Sequence, residues 1–179
     1  REHEIDFSSR GGARVFNEFS EEQTQKLEFT ASHPFYTGTD WGFLQPAHVL
    51  TQINSNDQWL WLREFRGKEL QVSTFLEIVN WLEGKFSDEM LSDEAMDEVV
   101  KNKLAPWFEF PCKERFIDFC DSAGDSRTDK GKQSNINIAL QAPFYRRMRF
   151  KKTPIEAGIN LMALRMRKRP RDGKYGVLV

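Results

Sequence analysis

The apolar positions change period along the chain, and each change marks an element. Residues 1–12 are polar and end in Gly11-Gly12, the pattern of a tail or linker. Val15 to Phe19 alternates briefly as a strand would, and Phe35 to Trp41 forms a second short strand. Ala47–Ile53 and Gln58–Phe65 are rich in β-formers, and the polar break from Asn54 to Asp57 is a turn signal, so the pair predicts a hairpin. The period then lengthens. Val72, Phe75, Leu76, Val79 and Leu82 keep the i, i+3, i+4, i+7 spacing of an amphipathic helix over about 73–84. A second helix runs from Ser92 to Leu104, with Pro106 as its stop. Phe116 to Cys120 is a compact apolar run, hence a buried strand, and the polar stretch from Asp121 to Ser126 ends it. A helix around 135–141, a short strand at 148–150, a helix from Pro154 to about Arg167 and a last strand from Tyr175 to Val179 complete the pattern.

Antiparallel strands followed by alternating helices and strands predict an α/β fold with a mixed β-sheet flanked by helices, not a bundle or a sandwich. Ligand-binding side chains then belong at the carboxyl ends of the strands. A length of 179 residues favours one domain, over 13–179, with a sizeable core. With 39% hydrophobic and 30% charged residues, disordered and collagen-like classes are excluded. No apolar run approaches the roughly 18 residues of a membrane span, so no membrane association is expected. The charged start lacks a signal peptide's apolar region. Two cysteines, Cys112 and Cys120, make no disulfide framework and suggest a reducing compartment. The chain begins at Arg1, which suggests a piece of something longer.

The net charge of −1 conceals a sharp division. Residues 1–144 carry 15 basic and 25 acidic side chains, whereas 145–179 carry 11 basic and 2 acidic. Such asymmetry points to nucleic acid or to a membrane surface, against the plainer reading of a solvated basic face. The acidic group Asp88, Glu89, Asp93, Glu94, Asp97 and Glu98 needs no functional reading, because carboxylates suit the first turns of a helix.

The chemistry-bearing residues are acidic. There is no phosphate-cradling G-x-x-x-x-G-K-[ST] loop, no G-x-S-x-G elbow and no zinc-site cysteine spacing, and His3, His33 and His48 are scattered. Asp40 ends a β-like segment before Trp41-Gly42, and Asp121 ends the buried strand before Ser122-Ala123-Gly124. Two strand-end aspartates with small residues in front of them are what a hard divalent cation requires. The alternative is ordinary turn chemistry, since Asp before Gly or Ser is common in turns. Glu64, among Trp61, Leu62 and Phe65, is either a third acidic site residue or a solvent-facing partner of Arg63 or Arg66.

Gly12-Ala-Arg-Val-Phe-Asn-Glu-Phe19 followed by Asp40-Trp-Gly-Phe-Leu-Gln-Pro-Ala47 resembles the opening of the nuclease domain of the large terminase subunit of tailed bacteriophages. Trp59 to Glu64, Phe116 to Gly124 and Ile155 to Arg165 resemble later segments of that family in the same order. The resemblance covers roughly residues 12–179. It implies a ribonuclease-H-like fold and a metal-dependent endonuclease that cuts concatemeric viral DNA during genome packaging. By position, Asp40 and Asp121 match the family's metal ligands, Glu64 matches less closely as a catalytic carboxylate, and the cofactors implied are two Mg²⁺ or Mn²⁺ ions. In the two-metal scheme the ions lie about 4 Å apart, one activating water and the other stabilising the leaving oxygen. Arg146, Arg147, Arg149, Lys151 and Lys152 are the expected contacts to DNA phosphates. The implied partners are double-stranded DNA, other terminase subunits and the portal, in the host cell cytoplasm. The segment between Glu64 and Asp121 is longer than the family's, and the family's last carboxylate would fall beyond Val179. Without it, the competing reading is a non-catalytic DNA-binding or motor-docking module of the same fold.

Overall fold

The computed structural model describes residues 16, 18–30, 32–42, 44–125, 133–150 and 155–179. The expected tail at 1–12, Val15 and Asn17 of the Val15–Phe19 segment, Lys151 and Lys152 lie outside the described residues. Phe16, Glu18 and Phe19 are described and are not in a strand, which corrects that expectation.

A mixed sheet is what the pattern predicts, and among the described residues it is formed by five strands. They are β1 (Phe35–Asp40), β2 (Ala47–Ile53), β3 (Trp59–Arg66), β4 (Phe116–Cys120) and β5 (Val177–Leu178), in the order β4-β1-β2-β3-β5. The β2–β3 hairpin closes where Asn54 Oδ1 accepts the backbone N–H groups of Asn56 and Gln58, each at 3.0 Å. β1 pairs antiparallel with β2 and parallel with β4. The 148–150 segment adds a parallel bridge from Arg149 to Phe119 on the outer edge of β4, whereas β5 lies on the opposite edge, against β3.

The helices are α1 (Val72–Leu82), α2 (Asp93–Lys101), α3 (Asn135–Leu140) and α4 (Ile155–Met166). Eight of the eleven α1 residues are buried, because α1 packs between the sheet and its neighbours α2 and α3. Phe75 stacks on Phe65 of β3 with ring centroids 5.6 Å apart, which seats the helix on the sheet. Gly84, with φ of 65°, turns the chain away after α1, and a Cβ there would meet two backbone oxygens at 2.8 Å. α2 ends earlier than the spacing predicts, and Pro106 is not its stop. Lys103 takes φ of 51°, Leu104 N–H reaches Val99 O at 3.0 Å and Lys103 N–H reaches Val100 O at 3.1 Å, which is a Schellman closure.

β1 alternates strictly. Phe35, Thr37 and Thr39 are buried toward the helices, while Tyr36, Gly38 and Asp40 belong to the other face. No described helix is long and apolar enough to cross a membrane.

Candidate functional site

Thr39 of β1 and Cys120 of β4 are register partners, so Asp40 and Asp121 are the next residues on two adjacent parallel strands. Asp121 N–H bonds to Thr39 O at 3.3 Å, which carries the pairing one residue beyond β4. Neighbouring strands lie about 4.8 Å apart, so both carboxylates leave the sheet side by side at its carboxyl edge. They line one open hollow of about 280 Å³, floored by Gly38, Val49 and Phe119. Asp40 Oδ1 also accepts the Gly42 N–H at 3.3 Å.

Gly124 lets the chain close here. A Cβ at that position would come within 2.2 Å of Trp41 Nε1. The turn after Asp121 therefore lies directly against the indole that follows Asp40, and a larger residue would force the two aspartate-bearing segments apart.

The structure does not bring Glu64 to this hollow. Gly38 pairs with Val49, and Val49 with Glu64, so Glu64 stands two strands away, roughly 10 Å across the sheet. Its carboxylate is 60% exposed and 3.6 Å from Arg66. That is the solvent-facing alternative left open by the sequence.

Arg146 is corrected. It is 2% exposed, so its guanidinium is not on a surface that DNA could reach. It donates to Glu83 Oε2 at 2.6 Å and Oε1 at 3.1 Å, and to Asp118 Oδ1 at 2.5 Å. Two buried carboxylates, one at the C-cap of α1 and one on β4, need a cation between them, and the strand-like alternation of residues 146–149 turns Arg146 inward. Arg147 and Arg149 face outward and are exposed. With Lys85 and Tyr145 they line a second hollow of about 300 Å³ along β4, one strand from β1. The further basic cluster at 165–171 is largely engaged within the chain. Arg167 pairs with Glu18 at 2.8 Å, Lys168 with Glu22 at 2.8 Å and Arg169 with Asp172 at 2.7 Å.

Behind the aspartates runs a buried polar chain that the sequence pattern did not reveal. Thr39 Oγ1 lies 2.9 Å from His48 Nδ1, and His48 Nε2 lies 2.9 Å from Glu83 Oε1. Thr37 donates to Asp118 Oδ1 at 2.8 Å, and Lys85 pairs with Glu83 at 2.7 Å. Burial alone would raise the Glu83 carboxyl, but Arg146, Lys85 and His48 hold it well below the usual carboxylate range. Burial lowers the His48 imidazole despite Glu83 beside it, so the ring is neutral, donating from Nε2 and accepting from Thr39 at Nδ1. Burial opposes the Arg146 charge, yet Glu83 and Asp118 raise its pKa. The one sequence signal was Asp118 inside the apolar run Phe116 to Cys120, since a carboxylate buried in a strand requires a partner.

Among the described residues the donor set at the hollow is two carboxylates. That suits Mg²⁺ or Mn²⁺, which keep several waters and are held by one or two carboxylates plus substrate phosphates. Among the described residues no group of three or more His, Cys, Asp or Glu side chains is placed to hold a metal ion.

No protein-family model matches the chain, and no curated protein matches it. Among solved structures it is similar to the large terminase from the thermophilic bacteriophage D6E, with a TM-score of 0.55 and 12% identity over 92% of this chain. At that identity the likeness is one of fold, and it bears out the ribonuclease-H-like α/β architecture. The chain spans 33% of the length of that terminase.

Proposed function

We propose that this chain is a terminase-type nuclease domain, a metal-dependent endonuclease acting on double-stranded DNA during viral genome packaging. The observation that carries the reading is the pairing of Asp40 and Asp121 at the carboxyl ends of adjacent parallel strands, over one open hollow. The fold likeness to a phage large terminase supports it.

In this reading Asp40 and Asp121 would hold two Mg²⁺ or Mn²⁺ ions, which when bound would supply the charge that activates water for in-line attack and stabilises the leaving 3′ oxygen. The chain's own part is positioning. Strand register sets the two carboxylates side by side, and the Gly124–Trp41 contact holds their loops together. Arg147 and Arg149 lie on the neighbouring segment, where they neutralise phosphates without reading sequence. Other terminase subunits and the portal are the partners of such a domain, in the host cell cytoplasm.

The carboxylate count favours one competing reading, a DNA-binding or motor-docking module without catalysis, because no third ligand joins the pair among the described residues. Plasmid nicking with Mn²⁺ separates the two. Nicking that is abolished in both Asp40→Ala and Asp121→Ala supports the nuclease. Undiminished nicking by Asp121→Ala would sink it, and DNA binding with no cleavage under any divalent metal selects the module.

A further inference from the structure

The helical side of the sheet, away from the aspartates, carries a hollow of about 490 Å³ between the end of α1 and residues 106–110. Clefts that take small ligands or side chains span about 300–1,000 Å³. The lining is aromatic, with Trp81, Trp107, Phe108 and Phe110. Trp81 is 6% exposed and fixed by its Nε1–H bond to Asp88 Oδ1 at 2.7 Å, whereas Phe110 is 52% exposed. Asp88, Glu89 and Glu109 also line the hollow, and all three are exposed. Among the described residues none of these three carboxylates has an ion-pair partner.

Aromatic faces present negative charge to a cation placed over them, and carboxylates complete its coordination. A purely apolar ligand would gain nothing from the three rim carboxylates, and DNA phosphates would be repelled by them. The ligand that satisfies both walls and rim is a cation with a flat or aliphatic body. Guanidinium suits better than ammonium, because it is planar, stacks on rings and donates in a fork that matches a carboxylate. The acidic surface continues along the chain into α2 with the exposed Asp93, Glu94 and Asp97, which favours a further basic residue beside the anchoring side chain. The basic cluster at 165–171 of a second copy is a poor source, since Arg165, Arg167, Lys168, Arg169 and Arg171 already pair with carboxylates of their own chain.

We infer that this hollow receives an arginine side chain from an extended basic segment of a partner protein, on the side of the sheet opposite the paired aspartates. The inference does not rest on the nuclease reading. A partner held there leaves the aspartate hollow open.

The test is titration of the isotopically labelled chain with the peptide acetyl-Gly-Arg-Gly-Arg-Gly-Arg-Gly-amide, following the indole N–H signals of Trp81 and Trp107 by NMR. Saturable shifts are expected, and the lysine version should bind more weakly. Glu89→Lys combined with Glu109→Lys should weaken binding about tenfold or more at unchanged melting temperature. Phe110→Ala, at an exposed position, gives an independent weakening. Absence of a saturable shift, equal shifts with a Gly-Glu peptide, or binding indifferent to the charge reversals overturns the inference. Arginine amide binding as tightly as the peptide would make the ligand a free cation, and a Glu109→Lys-sensitive dimer in sedimentation would make it a second copy. Either result overturns the partner segment.

Discussion

Replacing Arg146 with Met removes the cation from the buried chain and keeps most of its volume. The side chain is 2% exposed and makes close charge-assisted bonds to Glu83 and Asp118. Removing one partner of a buried ion pair costs about 3–5 kcal/mol, because the remaining charge is left uncompensated. Here Glu83 retains Lys85 at 2.7 Å and His48 at 2.9 Å, and Asp118 retains Thr37 at 2.8 Å. The loss therefore falls at the lower end, about 3 kcal/mol, which for a chain of this size is about 6–12 °C in Tm. Scanning calorimetry at pH 7.5 and pH 5 measures it. The deficit should shrink at pH 5, because a carboxylate without its arginine gains a proton more readily and so sheds the uncompensated charge. A variant melting within about 2 °C of the parent at both pH values would refute the network's role. Weaker DNA binding at unchanged Tm would return Arg146 to the surface role first expected of it.

The remaining predictions use other residues. His48 and Glu83 both have depressed pKa values when folded, so the unfolded chain binds protons first as pH falls. Stability should thus be flat above the ordinary histidine value of 6.5 and decline below it, with a further loss below 4.5, as followed by Tm against pH. In His48→Gln the decline between those two values should flatten, and a parent Tm flat from pH 7 to 5 argues against a neutral buried imidazole. Gly124→Val should destabilise by about 1–3 kcal/mol through its clash with Trp41, read by chemical denaturation, and should lower any nicking activity along with it. Arg147→Glu with Arg149→Glu should weaken DNA binding uniformly across sequences and reduce the salt slope of log Kd by about 2, with Tm unchanged.

Much of the fold was legible because its signals are local. β2 and β4 have the bounds their patterns predict, and the α1 spacing marks the face that packs on the sheet. Caps composed of ordinary residues were not legible. Lys103 closes α2 from a left-handed conformation that nothing about lysine announces, so the proline beyond it looked like the stop.

The site divides in the same way. Strand-end position singled out Asp40 and Asp121 from sequence alone, and the register of β1 with β4 made them neighbours although 81 residues separate Thr37 from its hydrogen-bonded partner Asp118 on those strands. Glu64 had the same acidic, strand-borne signature, and pairing through β2 set it two strands away. Eleven cations in residues 145–179 looked equivalent as sequence. Arg146 is buried because Glu83, 63 residues away, and Asp118, 28 residues away, converge on it. Period and turn chemistry depend on neighbours within a few residues and are written along the chain. Which charges are buried, and which carboxylates share a hollow, depends on partners brought together only by folding.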